Sequence, residues 1–460
     1  MGKFIADKKF YKYVFAIAGP ILVQNGITNF VSMLDNIMVG QVGTAQMSGV
    51  AIINQLLFIV QLLLFGANAG AGIFTAQYFG CKDIDGVRDT TRIKIVMSTI
   101  VATICGFVLC FWSEPLIMMF LNSDTDTANI ALALDSAKKY LYVMLVGLLP
   151  NMIVQVYSST LRETGETLVP MKAGAIAVVI NLLLNYLLIF DHFGYKGLGV
   201  TGAAIATVVA KYVEATYIVI WTHKNTEKNS FAVGLYRSFK VPKLMVVNIL
   251  KKGVLIMINE GLWSMGMTML LQCYSMRGLG VVAAVNITNT IFNVFNIVFI
   301  ALGDAVAIIV GQLLGSGKME EAKDTDNKLL FFSTMLCVGV GIIVVILAPL
   351  FPMLYNTEMY VKELATTLIR ILGIFMPVHA FLHAAYFTIR SGGKTFVTFL
   401  FDSCFMWLVA VPLAFVLSHY TNIPIIPIYL TAQFCDLVKA GIGFVLVKKN
   451  VWLNNLVEDI

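Results

Sequence analysis

Twelve long apolar runs, separated by short charged stretches, limit what this 460-residue chain can fold into more than any other feature. A helix needs about 20 apolar residues to cross a bilayer. Runs that long occur at approximately 14–39, 49–79, 95–120, 140–161, 171–190, 201–222, 253–276, 283–314, 329–354, 365–389, 395–418 and 425–447. Such segments must be helical in lipid, because a lone strand would leave its backbone polar groups unpaired. Charged residues make up 13% of the chain and hydrophobic ones 58%, whereas a soluble domain carries roughly 25% charge. That is too little charge to cover the surfaces of the two to four soluble domains such a length would otherwise form. The composition excludes a soluble enzyme and a nucleic-acid binder. The reading is an all-α polytopic membrane protein of twelve transmembrane helices.

The charges that remain are unevenly placed. One set of loops holds 24 Lys and Arg, from Lys3, Lys8, Lys9 and Lys12 through Arg88, Arg92 and Lys94 to Lys448 and Lys449. The opposite set holds 6, namely Lys138, Lys139, Lys196, Arg277, Lys362 and Arg370. The positive-inside rule then puts both termini in the cytoplasm of a multi-pass plasma-membrane protein. The net charge of +6 follows from this bias and signals no nucleic acid. The first run, Val14 to Val39, exceeds the ~7–15 residues of a signal-peptide core, so it is expected to span the membrane. The seven cysteines show no CxxC or metal-ligand spacing and read as small buried hydrophobes.

The chain repeats itself. "GIFTAQYFGCKDIDGVRD" (72–89) lines up with "AIIVGQLLGSGKMEEAKD" (307–324), Gln77 over Gln312 and Gly80 over Gly315. "LRETGET" (161–167) lines up with "IRSGGKT" (389–395), each about a dozen residues after a proline, Pro150 or Pro377. The longest polar stretch separates the copies. The expected organisation is an N-terminal lobe over 1–222, a cytoplasmic linker over 223–252 and a C-terminal lobe over 253–460. Six helices per copy make a parallel repeat, an architecture that sets a substrate site between the halves.

Ionisable residues inside apolar runs are costly and normally face a cavity or a partner. Here they are Asp35, Glu260, Asp304, Asp402, His379, His383 and two opposite-charge pairs at i, i+3, Lys211/Glu214 and Asp436/Lys439. The pairs read as neutralising one another within their helices, and Asp304 and Asp402 have no partner in the pattern. Asp35 lies late in the first run. Asn181 and Asn185 share one face of the fifth at a similar depth, so a carboxylate and two amides can gather there around a proton, a sodium ion or an organic cation. Glu260 and His379 share a depth in the second half, as a second acidic site with a titratable neighbour. His379 and His383 have a metal-ligand spacing, yet "HAFLH" lacks the glutamate of a zincin helix. "SGGKT" (391–395) is no phosphate loop, since Thr388 stands where the first glycine is required and no strand precedes it.

"LDNIMVGQVGTAQMSGVA" (34–51), "LRETGETLVPMKAGAIAVVINLLLNYLLIF" (161–190), "GLGVTGAAIAT" (197–207) and "GQLLGSGKMEEA" (311–322) resemble the multidrug and toxic compound extrusion (MATE) transporters over nearly the whole chain. The resemblance implies two six-helix bundles forming an antiporter, not an enzyme, that exports cationic amphipathic compounds against protons or sodium ions. It implies ion- or substrate-binding roles for Asp35, Asn181, Asn185, Glu260 and His379, and a conformational role for Pro20, where the first helix can bend. Asn185 stands where one branch of the family has aspartate, and His379 where the other does, so the chain mixes features of both. The expected partners are small organic cations and the lipid bilayer, with no nucleic acid, no cofactor beyond the coupling ion, no metal, and a monomeric state. A flippase for a lipid-linked saccharide is the alternative, and a membrane-embedded metal-dependent enzyme around the two histidines a remote one.

Overall fold

The structure is a computed structural model that describes residues 5–120, 127–190, 197–355 and 357–458. Lys3 and Lys196 of the charge count lie outside the described residues. Every regular element among the described residues is helical. The membrane-length helices are α1 (Lys8–Gly40), α2 (Thr44–Gly80), α3 (Ile84–Phe111), α4 (Thr127–Val146 with Leu148–Glu163), α5 (Leu168–Ile189) and α6 (Val200–Lys224). The second set is α7 (Lys243–Ser275), α8 (Leu279–Gly315), α9 (Met319–Leu347), α10 (Met359–Ser391), α11 (Thr395–Tyr420) and α12 (Ile425–Lys448). Among the described residues eleven are long and apolar enough to span singly, and α4, bent by 48°, makes twelve when its two parts are counted as one span. Large apolar side chains such as Phe111, Ile346 and Leu408 stand exposed on the outward helix faces, as a lipid solvent permits.

The bend in α4 has a local cause. Pro150 donates no N–H to the carbonyl four residues earlier and crowds it. Pro377, its repeat counterpart, lies inside an unbroken α10. Proline alone therefore does not break the helix. The apolar run expected at 95–120 also divides. Helix α3 starts earlier, at Ile84 capped by the Asp83 side chain, and stops at Phe111, while Ser113–Met118 forms a separate short helix.

The repeat is written into the backbone. Left-handed residues occur at matching turns: Gly43 (φ 150°) and Gly278 (φ 108°), Lys82 (φ 63°) and Gly317 (φ 72°), Gly165 (φ 90°) and Gly393 (φ 70°). Gly165 and Gly317 sit in helix-ending turns closed by six-to-one bonds, Glu166 N to Leu161 O and Lys318 N to Leu313 O. Gly393, in "SGGKT", is likewise a left-handed turn residue, its N–H donating to the Arg390 carbonyl.

Two compact units emerge, and each holds its own apolar core. One comprises Met1–Leu22, Ala76–Lys82 and Val254–Ile460, built around Phe299, Leu368, Ile369 and Met376. The other comprises Val23–Thr75 and Asp83–Gly253, built around Ile53, Leu64, Leu141 and Val156. These units part from the boundaries 1–222, 223–252 and 253–460 in three places. Helix α1 divides at Leu22, two residues after Pro20. The end of α2 joins the unit that contains α8. The stretch 223–252 belongs with the first-half helices. Arg88 donates to the carbonyl of Phe231, and Arg92 to those of Leu235 (2.9 Å) and Gly234 (2.8 Å). Phe231 and Leu235 are themselves buried.

The aligned residues of the repeat meet one another. A Cβ on Gly80 would lie 2.0 Å from the Gln312 carbonyl oxygen, and one on Gly315 would lie 1.9 Å from that of Gln77. Each glycine thus lets its helix lie directly on the glutamine backbone of the other copy. No rotamer change relieves a clash with a carbonyl. Gly315→Val should therefore cost more than the ~1–3 kcal/mol of ordinary overpacking. The expected readout is loss of the monodisperse peak of detergent-extracted protein on size exclusion.

Candidate ion and substrate site

In the first-half unit, α1, α5 and α6 place one row of polar groups in an otherwise apolar setting. Asn185 donates to the Asp35 carboxylate at 2.5 Å and to Asn181 Oδ1 at 3.1 Å, and Asn181 donates to Thr207 Oγ1 at 3.2 Å. The four-residue spacing of the asparagines puts both amides on one face of α5, and Asp35 meets that face from α1. Both asparagines are buried, and Asp35 is partly exposed. The amide nitrogen of Asn185 serves two acceptors, while its carbonyl oxygen finds no donor among the described residues. Carboxylate and carbonyl oxygens side by side are the ligands a hard cation or a proton takes. Pro20 lies buried within α1 on the same helix.

The second-half unit holds a denser cluster. Tyr386 of α10 donates to Glu260 of α7 at 3.2 Å. Asn259 donates to the Asp402 carboxylate at 3.1 Å, and its own amide oxygen accepts from Ser403 at 2.7 Å. Lys439 of α12 makes a 2.6 Å ion pair with Asp402 of α11. His379 hydrogen-bonds Gln433 at 3.0 Å, with its other ring nitrogen 3.7 Å from the Asp436 carboxylate. His383 stacks on Phe299 instead.

Three readings change accordingly. Lys439 does not pair with Asp436 on its own helix; it reaches across to Asp402, which thereby gains a partner. Residue 402 lies in a π-helical turn, Leu400–Cys404, which re-aims side chains relative to an α-helical count. Glu260 and His379 are held by different partners, Tyr386 for one and Gln433 with Asp436 for the other. Lys211 and Glu214, in contrast, pair along their helix at 2.7 Å as expected.

Several polar residues have no signal in the spacing. Asn259, Tyr386 and Gln433 are uncharged and so pass unremarked in apolar runs. Lys94, counted among loop cations, is fully buried, bonded to Ser159 and Thr160 and ion-paired with Glu163. Lys94 closes a charged stretch that runs from Lys82 through Arg92, at the edge of the apolar run that begins at 95, so nothing in the pattern sets it apart from the loop cations.

Comparison with known proteins adds an independent line. A family model described as MatE matches residues 20–187 and 255–416. A Thermotoga maritima protein named as a probable multidrug resistance protein NorM is 26% identical over 415 residues, covering 89% of this chain and 86% of its own length. A probable multidrug resistance protein of Bacillus subtilis, YoeA, is 22% identical over 414 residues, covering 89% and 87%. Among solved structures, an outward-facing multidrug resistance MATE family transporter of the MOP superfamily superposes with a TM-score of 0.85 at 18% identity, over 98% of this chain and 97% of that one.

Proposed function

The chain belongs to the MatE family of multi-pass membrane transporters, and from that premise we propose that it is a secondary antiporter exporting cationic amphipathic compounds in exchange for protons or sodium ions. The observation that carries this reading is the row Asp35–Asn185–Asn181, an acid with amide oxygens buried among membrane-spanning helices. An organic cation favours the ionised carboxylate, and a proton or sodium ion competes for it. Such competition gives exchange when each ligand favours a different facing of the protein. Pro20 supports this, since it weakens α1 beside the point where that helix passes from one compact unit to the other. The names of the relatives, which speak of multidrug resistance, support the substrate class. In the same reading both termini lie in the cytoplasm of a plasma membrane, and the protein works as a monomer.

The test is efflux of ethidium from proteoliposomes under an imposed proton or sodium gradient. Accelerated efflux under one of the two gradients, relative to none, is the expected result. Equal rates with and without either gradient would overturn the proposal.

A further inference from the structure

We propose that Asp402 is a second proton-binding carboxylate of the transport cycle, with the Lys439 ammonium as the resident cation that an incoming proton displaces toward Asp436. The inference deepens the antiport reading and rests on it for the use made of the proton.

Four observations carry it. First, the pair is an interhelical one at 2.6 Å, with side chains 10% and 17% exposed, so it is sheltered without being sealed. Second, Lys439 has an alternative partner. Asp436 lies one turn earlier on α12, 30% exposed, and among the described residues its ion-pair contact is the 3.7 Å one to His379. Residues three apart on a helix are neighbours, so the ammonium can pass between the two carboxylates by rotamer change, with the Phe401 ring 5.3 Å away to shelter it. Third, Asn259 ties Asp402 to Glu260's partner, since its amide donates both to Asp402 and to the Tyr386 hydroxyl. Fourth, α11 carries π-helical turns at Leu400–Cys404 and Met406–Ala410. Such turns leave backbone hydrogen bonds strained and are frequent where a helix acts.

The charges around Asp402 come from every neighbouring helix. Glu260 on α7 repels its anion. On α10, His383 lies within electrostatic reach, as does Tyr386, while Arg390 acts on Glu260 and Tyr386. On α12, Lys439 attracts it, and Asp436 together with Lys439 acts on His379. Asp402 thus has Lys439 as its cation, and Glu260 has Arg390. A proton from water adds to the Asp402 carboxylate and makes it neutral. Lys439 keeps its charge and turns to Asp436. The cluster gains one positive charge, which opposes a bound organic cation and favours its release.

Removing one partner strands the other's charge and risks misfolding, so the informative variant is the neutral pair Asp402→Asn/Lys439→Met. Two measurements use the full-length purified chain. In weakly buffered detergent solution, acidified from about pH 8 to about pH 5, the wild type should take up one proton per chain more than the neutral pair. In proteoliposomes the neutral pair should carry ethidium at less than about a tenth of the wild-type rate, a free-energy loss above 1.4 kcal/mol by the tenfold conversion. A purely structural ion pair predicts the opposite on both counts, because neutral replacement of such pairs is commonly tolerated. Equal proton counts, or transport by the neutral pair at the wild-type rate, overturn the inference. Should the wild type itself show no gradient-driven ethidium movement, the antiport reading fails, and the proton count still decides whether Asp402 binds a proton.

Discussion

Asp35→Asn should cut gradient-driven ethidium efflux by about tenfold to a hundredfold while leaving the protein folded. A carboxylate about 4 Å from an organic cation contributes about 4 kcal/mol at an effective dielectric near 20, and half of that already exceeds a tenfold change. The substituted amide keeps the size of the side chain and can still accept from Asn185, so the α1–α5 bond survives. The control is the melting temperature, expected within a few degrees of wild type. Efflux at the full rate in this variant would remove the first-half row from the mechanism. Glu260→Gln makes the companion measurement. If both halves serve coupling, the double variant should be no faster than the slower single one.

The largest effect on stability is expected from Glu163→Ala. Lys94 is completely enclosed, and among the described residues Glu163 is its charged partner, the others being the Ser159 and Thr160 hydroxyls. Deleting the acid leaves an ammonium in a dry interior, a loss of about 3–5 kcal/mol in comparable pairs. Gly72 fixes the geometry from the other side, because a Cβ there would lie 2.2 Å from the glutamate oxygen. Replacing both members, as Lys94→Met with Glu163→Leu, should recover most of the loss. Thermal unfolding in detergent, followed by intrinsic fluorescence, reads both variants, and an unshifted melt for Glu163→Ala would show that the pair is dispensable.

How much of this was legible beforehand follows from what each signal depends on. Span number, helical class and the repeat rest on local chemistry, and they emerge from apolar length and glycine position. The Gln77/Gln312 and Gly80/Gly315 alignment even marked residues that touch. The meeting of Asp35 with Asn181 and Asn185 was readable because helical rise and a four-residue spacing convert directly into depth and face. The partner of Lys439 was not readable. Spacing offered Asp436 on the same helix, and the choice of Asp402 depends on a π-turn that sequence periodicity does not reveal. Lys94 misled for a related reason: a charge count assigns cations to a side of the membrane and is blind to enclosure. Neither could a pair of prolines announce that one helix breaks and the other runs on.

The docking of residues 230–235 by Arg88 and Arg92 bears on how the chain can be divided. A gene cut at the sixth helix would strip the amino-terminal fragment of Phe231 and Leu235 and take from Arg88 and Arg92 the backbone carbonyls they hold, leaving them their ion pairs with Asp85 and Asp89. The exposed run from Arg237 to Lys240 offers the natural seam. Two polypeptides parted there would keep Phe231 and Leu235 with the arginines that hold them, while Met1–Leu22 and Ala76–Lys82 would still have to join the carboxy-terminal fragment, so co-expression of the fragments is the route by which the halves of this transporter can be labelled separately.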